Sequence, residues 1–215
     1  MTTDQLVGIF VVSIETMTSN HSAEETRKRI LGAAFKEFYH HGFQGSSLNR
    51  IVEQAQTTKG ALFHHFKGKK DLGYAVLNEV IRPELHSQWL EPLDHSLDPI
   101  QDLKKMLNRT VDSEKDRICH GCPLNNLAQE MSPLDETFRK LIESLYDEWR
   151  RSIANAFARG VKAGNVKSSV NPVVIGAFLV ASFAGVIGSV KNAQDPGLFK
   201  ICGEGLFDYL ESLKP

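Results

Sequence analysis

The stretch from Gly42 to Leu72 carries two short apolar periods, each with its own start signal, set so closely that only a tight corner between two helices accommodates both. In the first, Leu48, Ile51, Val52 and Ala55 recur at i, i+3, i+4 and i+7, the stripe of a helix with one buried face. Ser46 or Ser47 stands at its N-cap position. After a turn at Gln56 and Thr57, Thr58 can cap a second helix in which Leu62 and Phe66, one turn apart, face inward. Lys59, Gly60, Phe63 and His64 are left on the opposite face. Two short helices joined in this way, the second opening on small and basic residues, form a helix-turn-helix, whose second helix enters the major groove of DNA.

Read with the helix before it, the segment from Glu25 to Leu72 resembles the N-terminal domain of the TetR family of transcriptional regulators. The likeness rests on R-x-x-I-L-x-A-A at Arg27 to Ala34, Phe38, Gly42-Phe43, K-G-x-x-x-x-H-F at Lys59 to Phe66, and K-x-x-L at Lys69 to Leu72. Two departures stand out. The family's inter-helix turn usually reads A-G-V-S, and here it is Ala55, Gln56, Thr57, Thr58; with Gln56 where a Gly commonly supplies φ > 0, either that residue accepts strain or the turn differs. Phe63 replaces the usual Tyr and has no hydroxyl to offer a phosphate.

Net charge is −1 over 215 residues, which alone gives no hint of nucleic acid. Its distribution does: Ala23 to Lys70 holds nine Lys or Arg against four Glu, whereas Asp71 to Pro215 holds sixteen against twenty acids. Arg27 to Arg29 alone would read as a solvated helix face; beside the helix-turn-helix they read as part of a phosphate-binding head. Three cysteines make no disulfide framework, so a reducing cytoplasm is expected.

Along the chain, residues 1–22 are expected to form a flexible extension, Met1 to Thr16 being either an arm or an over-extended start. Its apolar run from Leu6 to Ile14 is too short to span a bilayer and lacks a basic leader. Ala23 to His41 forms the first helix, stopped by Gly42. A fourth helix runs from about Gly68 to Leu90 and a fifth from Pro99 to about Lys115. Pro123 opens a short sixth helix, and the stripe from Phe138 to Phe157 predicts a long seventh, Leu134 to Ala163. The eighth covers Val173 to Lys191, and Asp195-Pro196 opens the ninth, to about Leu213. The chain is therefore all-α, with about nine helices: a three-helix helix-turn-helix domain over 23–70, then a larger helical domain over 71–215. The resemblance implies that this second domain binds ligand and dimerises.

Two stretches invite other readings. Val173 to Val190 has no charge over eighteen residues, the length of a membrane span. A span there would strand the final helix, with its Leu206, Phe207 and Leu210, on the far side, so a subunit interface is the expectation and a membrane is not. Cys119-His120-Gly121-Cys122 offers two thiols flanking a His. Zinc needs four ligands, and no second pair exists in the chain. Cys122, at a helix N-terminus before Pro123, would have its thiol pKa lowered, which leaves open a redox or electrophile sensor using Cys119 and Cys122, beside a plain structural role. An enzyme with Cys122 as nucleophile and His120 as base lacks an orienting third group. Neighbouring histidines, His40-His41 and His64-His65, point about 100° apart and cannot chelate together.

The resemblance implies a homodimeric regulator, usually a repressor, released from double-stranded operator DNA by a small-molecule effector, with no metal or cofactor. Thr58 to His64 would enter the groove, with Lys59 and His64 in direct contact and Gly60 and Ala61 allowing close approach. Arg50 and Thr57 would reach bases or phosphates; Ser46, Ser47, Phe63 and Lys69 would position the backbone. Dimerisation would use 171–192 and 195–213. Trp89, Met106, Cys122, Phe138, Leu141, Trp149 and Phe178 are candidates to line an effector pocket, each with core packing as an equal alternative.

Overall fold

Side-chain oxygens and prolines start most of the helices. Ser47 accepts from the Asn49 N–H, Thr58 from Ala61, Asp98 from Gln101, Asp135 from Thr137 and Phe138, Asn171 from Val173, and Asp195 from Gly197. Each bond satisfies an amide that a helix start leaves without a partner. Pro99, Pro123, Pro172 and Pro196 occupy first helical positions, where a missing N–H costs nothing.

A computed structural model describes residues 23–113 and 118–215, so the extension expected over 1–22 and the end of the fifth helix near Lys115 lie outside the described residues. Within these the chain is all-helical: α1 Ala23–Gly45, α2 Leu48–Gln54, α3 Lys59–His65, α4 over 69–90, α5 Pro99–Ser113, α6 Pro123–Met131, α7 Glu136–Ala163, α8 Pro172–Ala193 and α9 Pro196–Ser212. α1 is broken at Gly42, whose φ of 72° is the left-handed stop read from the sequence. α7 starts two residues later than expected because Asp135 caps it. α4 contains two wide π turns, Leu77–Ile81 and His86–Leu90, on either side of Arg82–Leu85. Pro83 lies between them; it can donate no bond to the preceding turn and its ring crowds that turn's carbonyl.

The chain divides into two units. The first comprises the described residues up to Glu84 together with 127–141, so the unit carrying α2 and α3 runs past residue 70. Ile30, Ala34, Phe38, Ile51, Leu62, Leu72, Val76 and Leu77 form its core. Each of these side chains except Ala34 stabilises by roughly 1.5–3 kcal/mol when taken from water. Phe138, a candidate for the effector pocket, packs instead in this core, edge-on to Phe43 and Tyr74 at 4.8 Å each. Gly73 fits between two of those rings: a Cβ there would stand 2.6 Å from Phe138 and 2.7 Å from Phe43. Asp135 accepts from the Tyr74 hydroxyl at 3.0 Å and pairs with Lys70 at 2.8 Å. Leu141, half-buried, belongs to the same unit.

The second unit comprises 85–126 and 142–215. Its core combines Ile100, Leu103 and Met106 of α5, Leu145, Trp149 and Phe157 of α7, and Leu179, Phe183 and Ile187 of α8. Small residues on α8 serve two ends. Gly176 lies so close to α7 that a Cβ would meet the Arg150 carbonyl at 2.4 Å, whereas Ala177, Ala181 and Gly185 are exposed. α8 is long and apolar enough to cross a membrane by length and composition, but Ile175, Leu179, Val180, Phe183, Ile187 and Val190 are buried within the unit.

Candidate nucleic-acid interface

The link between α1 and α2 is tied from several directions. Glu37 of α1 is 1% exposed and accepts from the Ser47 N–H at 2.9 Å and from Arg50 Nε at 2.7 Å. Burial pushes its carboxyl up, but the hydrogen bonds from Arg50 and Ser47, with the charge of Arg50, outweigh burial and hold it below the usual range. Arg50 also donates to the Gly45 carbonyl at 3.0 Å. Lys69 donates to the carbonyls of Gln44 at 3.0 Å and Ser46 at 2.7 Å and lies over the Phe43 ring. Burial holds its ammonium below the ordinary lysine value. Ser46 is buried, its hydroxyl donating to the Phe43 carbonyl, and Glu130 accepts from the N–H groups of Phe43 and Gln44 at 2.8 and 2.7 Å.

The sequence reading placed Lys69 among the residues that position the DNA backbone; here its ammonium turns inward, because the chain reversal after Gly42 leaves carbonyls that need a donor. Ser46, Ser47 and Arg50 are likewise engaged with the chain. Glu37 itself was missed, although a carboxylate between Ala34 and Phe38 on the apolar face of α1 is a sign of a buried partner.

The turn between α2 and α3 depends on a second missed residue. Gln56 takes a φ of 48°, the strained alternative of the two read from the sequence. Arg29 donates to the Ala55 carbonyl at 3.0 Å and the Gln56 carbonyl at 3.2 Å. Arg27 pairs with Glu79, at 2.8 Å for one of its two contacts, and lies over the Phe66 ring. Both arginines therefore bind the fold, which corrects their reading as phosphate-binding groups.

Thr58 caps α3, and Leu62 and Phe66, 0% and 2% exposed, seat it. Lys59, Gly60, Phe63 and His64 share the open face, Phe63 at 53% exposure; Thr58 is also exposed, and Thr57 and Ala61 are half-buried. Gly60 has no special φ, and a Cβ there would meet nothing nearer than the Thr58 hydroxyl at 3.8 Å. The chain itself gives no reason for a glycine at that place.

Of the remaining candidates, Trp89 and Trp149 come together in the second unit with ring centres 5.2 Å apart, and Met106 is buried in the same unit. Phe178 lines nothing internal: it is 47% exposed and packs on Tyr209. Cys119, Cys122 and Cys202 are free and half-buried. Burial pushes the Cys122 thiol up, and hydrogen bonds from the Asn125 and Leu124 N–H groups offset only part of this. The lowered thiol expected from the helix start is thus overturned by desolvation. Among the described residues no group of His, Cys, Asp and Glu is placed to hold a metal ion.

Residues 30–76 match the model of the bacterial regulatory proteins of the tetR family, and 99–201 match the tetracyclin repressor-like C-terminal domain. An uncharacterized HTH-type transcriptional regulator of Lactococcus lactis is 32% identical over 62% of this chain and 69% of its own length. The chain belongs to the TetR family. Another relative, the HTH-type transcriptional repressor DhaR of a Mycobacterium species, is 25% identical over 77% of this chain and 82% of its own. Among solved structures, a TetR-family regulator from Agrobacterium tumefaciens superimposes with a TM-score of 0.79 at 18% identity, covering 90% of this chain and all of its own. The reduced form of Escherichia coli NemR gives 0.76 at 19% identity, covering 89% and 97%. This TetR-family protein is a DNA-binding transcriptional regulator and not an enzyme, which disposes of Cys122 and His120 as a nucleophile and base.

Proposed function

We propose that this TetR-family protein is a homodimeric repressor, working in the cytoplasm, that leaves a pseudo-palindromic operator when a small molecule binds its second unit. The observation that carries the reading is the open face of α3, where Lys59, Gly60, Phe63 and His64 are exposed while Leu62 and Phe66 fix the helix from behind. Lys59 and His64 contact DNA directly, the small residues Gly60 and Ala61 let the groove wall come close, and Phe63 offers apolar contact to a thymine methyl. Thr57 and Thr58 lie at the edge of this surface. Ser46, Ser47, Arg50 and Lys69 hold α2 in place for it.

Dimerisation is supported by Val174, Ala177, Phe178, Ala181 and Gly185, an exposed uncharged stripe on α8, extended by Ile201 and Gly205 on α9. Two copies of this pair bury each other's stripe about a two-fold axis, which the operator mirrors with half-sites about one helical turn or a multiple apart. The relative DhaR, named as a repressor, supports the sign of regulation. Effector binding lowers operator affinity through a coupling of about 1–3 kcal/mol.

The test selects retained sequences from a random duplex library at two salt concentrations, in parallel with Lys59→Ala and Ala177→Arg. A palindrome with a steep salt slope, lost in Lys59→Ala, together with a sedimenting dimer that becomes a monomer in Ala177→Arg, supports the reading. No enriched sequence, or a wild-type monomer, refutes it.

A further inference from the structure

The second unit contains polar groups that its own side chains do not satisfy. Trp149, 3% exposed, has its indole Nε1 buried without a hydrogen-bond partner among the described residues, and so does the Ser152 hydroxyl, one turn further along α7 and on the same side. A buried donor left unmatched is destabilising, and native chains rarely leave one so. Around Trp149 stand Trp89 of α4, at 5.2 Å between ring centres, and Phe183 of α8, at 5.7 Å. Trp89 and Phe183 meet edge to face at 4.5 Å, and Phe199 of α9 adjoins Phe183 at 6.4 Å. The rings are uncharged, and the flanking His86 and Glu148 bond to each other at 2.7 Å. Trp89 stands on the wide turn His86–Leu90, and such turns recur at functional sites.

We infer that the effector is a neutral, planar aromatic molecule bearing a hydrogen-bond acceptor, seated among Trp89, Trp149 and Phe183 with its acceptor taking the Trp149 N–H and the Ser152 hydroxyl. This rests on the effector-release reading above. An indole N–H can only donate, which specifies an acceptor on the ligand. Aromatic edges and faces specify a ring. The rings carry no charge and the flanking His86 and Glu148 are spent on each other, which specifies neutrality. Trp89, on the less regular segment of α4, is the ring that turns aside to admit it.

The chain has two tryptophans and both are in this cluster, so tryptophan emission reports on the site alone. The full-length protein is titrated with acetophenone, with ethylbenzene, which is nearly the same size and has no acceptor, and with benzoate, which is charged. Binding is read by emission and calorimetry. Acetophenone should bind saturably and about ten- to a hundredfold more tightly than ethylbenzene, the worth of two buried hydrogen bonds, and more tightly than benzoate. In Trp149→Phe, which keeps a ring and leaves Trp89 as reporter, the preference over ethylbenzene should fall about tenfold; Ser152→Ala is the second variant should Trp149→Phe fail to fold. No saturation, tighter benzoate binding, or an unchanged preference in both variants overturns the inference. Operator release is measured in the same samples. Binding with the stated preference but no release keeps the site and refutes the effector reading; release by another compound with emission unchanged keeps that reading and overturns this site.

Discussion

Replacing Gly60 by Ala separates what α3 needs in order to fold from what it needs in order to bind. Gly60 is helical, it carries no left-handed φ, and the nearest atom to an added Cβ is the Thr58 hydroxyl at 3.8 Å. The methyl therefore enters open space. It narrows the unfolded ensemble and should stabilise the chain by about 0.5 kcal/mol, the lower part of the usual range because the position lies in the first turn. In a protein of this size that raises Tm by roughly 1–2 °C. On DNA the same methyl occupies space that the groove wall needs, and overpacking of a close contact costs about 1–3 kcal/mol, a loss of roughly 5- to 150-fold in affinity per half-site. The assay is a thermal melt by circular dichroism beside fluorescence anisotropy on the selected operator at fixed salt. A lowered Tm would show that the fold itself demands the glycine. An unchanged affinity would show that nothing approaches α3 at that point.

Three further outcomes follow from the first unit. Arg29→Ala removes the Nη1 group that donates to both the Ala55 and Gln56 carbonyls, and should destabilise by about 1–2 kcal/mol in urea melts and weaken operator binding without any lost DNA contact. Gly73→Ala forces the Phe138 and Phe43 rings apart from contacts under 3 Å and should cost about 1–3 kcal/mol in the same melts. The Asp135 carboxyl is held at about 2, chiefly by Lys70, with help from the Phe138 N–H. A carboxylate depressed in the folded state contributes stability above its ordinary pKa, near ~4, and loses it as pH falls toward 2. Asp135→Asn should therefore flatten part of the acid limb between pH 4 and 2 in melts taken as a function of pH, the rest remaining with Glu136, also held at about 2.

The helix boundaries were legible because their signals are local. Thr58, Asp98, Asn171 and Asp195 each act within three residues, and Gly42 stops α1 by its own φ. The open face of α3 was legible for the same reason, since Leu62 and Phe66 fix which side is buried. What could not be read was the choice of partner. The stripe on α7 is continuous from Phe138 to Phe157, yet the two units divide it after Leu141, because periodicity marks a buried face and is silent on what covers it. The partners of Lys69, Arg27 and Arg29 were hidden for a related cause: a basic residue next to a reading helix has the same sequence signature whether it faces a phosphate, a carboxylate or one of the chain's own carbonyls.

Residues 127–141 complete the unit that carries α2 and α3, and this bears on biosynthesis. Until Phe138 has been made, Phe43 and Tyr74 lack the ring that covers them, and until Glu130 has been made the Phe43 and Gln44 amides lack its carboxylate. At about 5–20 residues per second this interval lasts some seconds on the ribosome. A fragment cut after the reading helices would keep that raw surface permanently. The nascent chain thus passes through a stage in which every residue of the proposed DNA-facing surface exists but the Glu130 and Phe138 contacts behind it do not, and operator binding should reach full strength only late in synthesis.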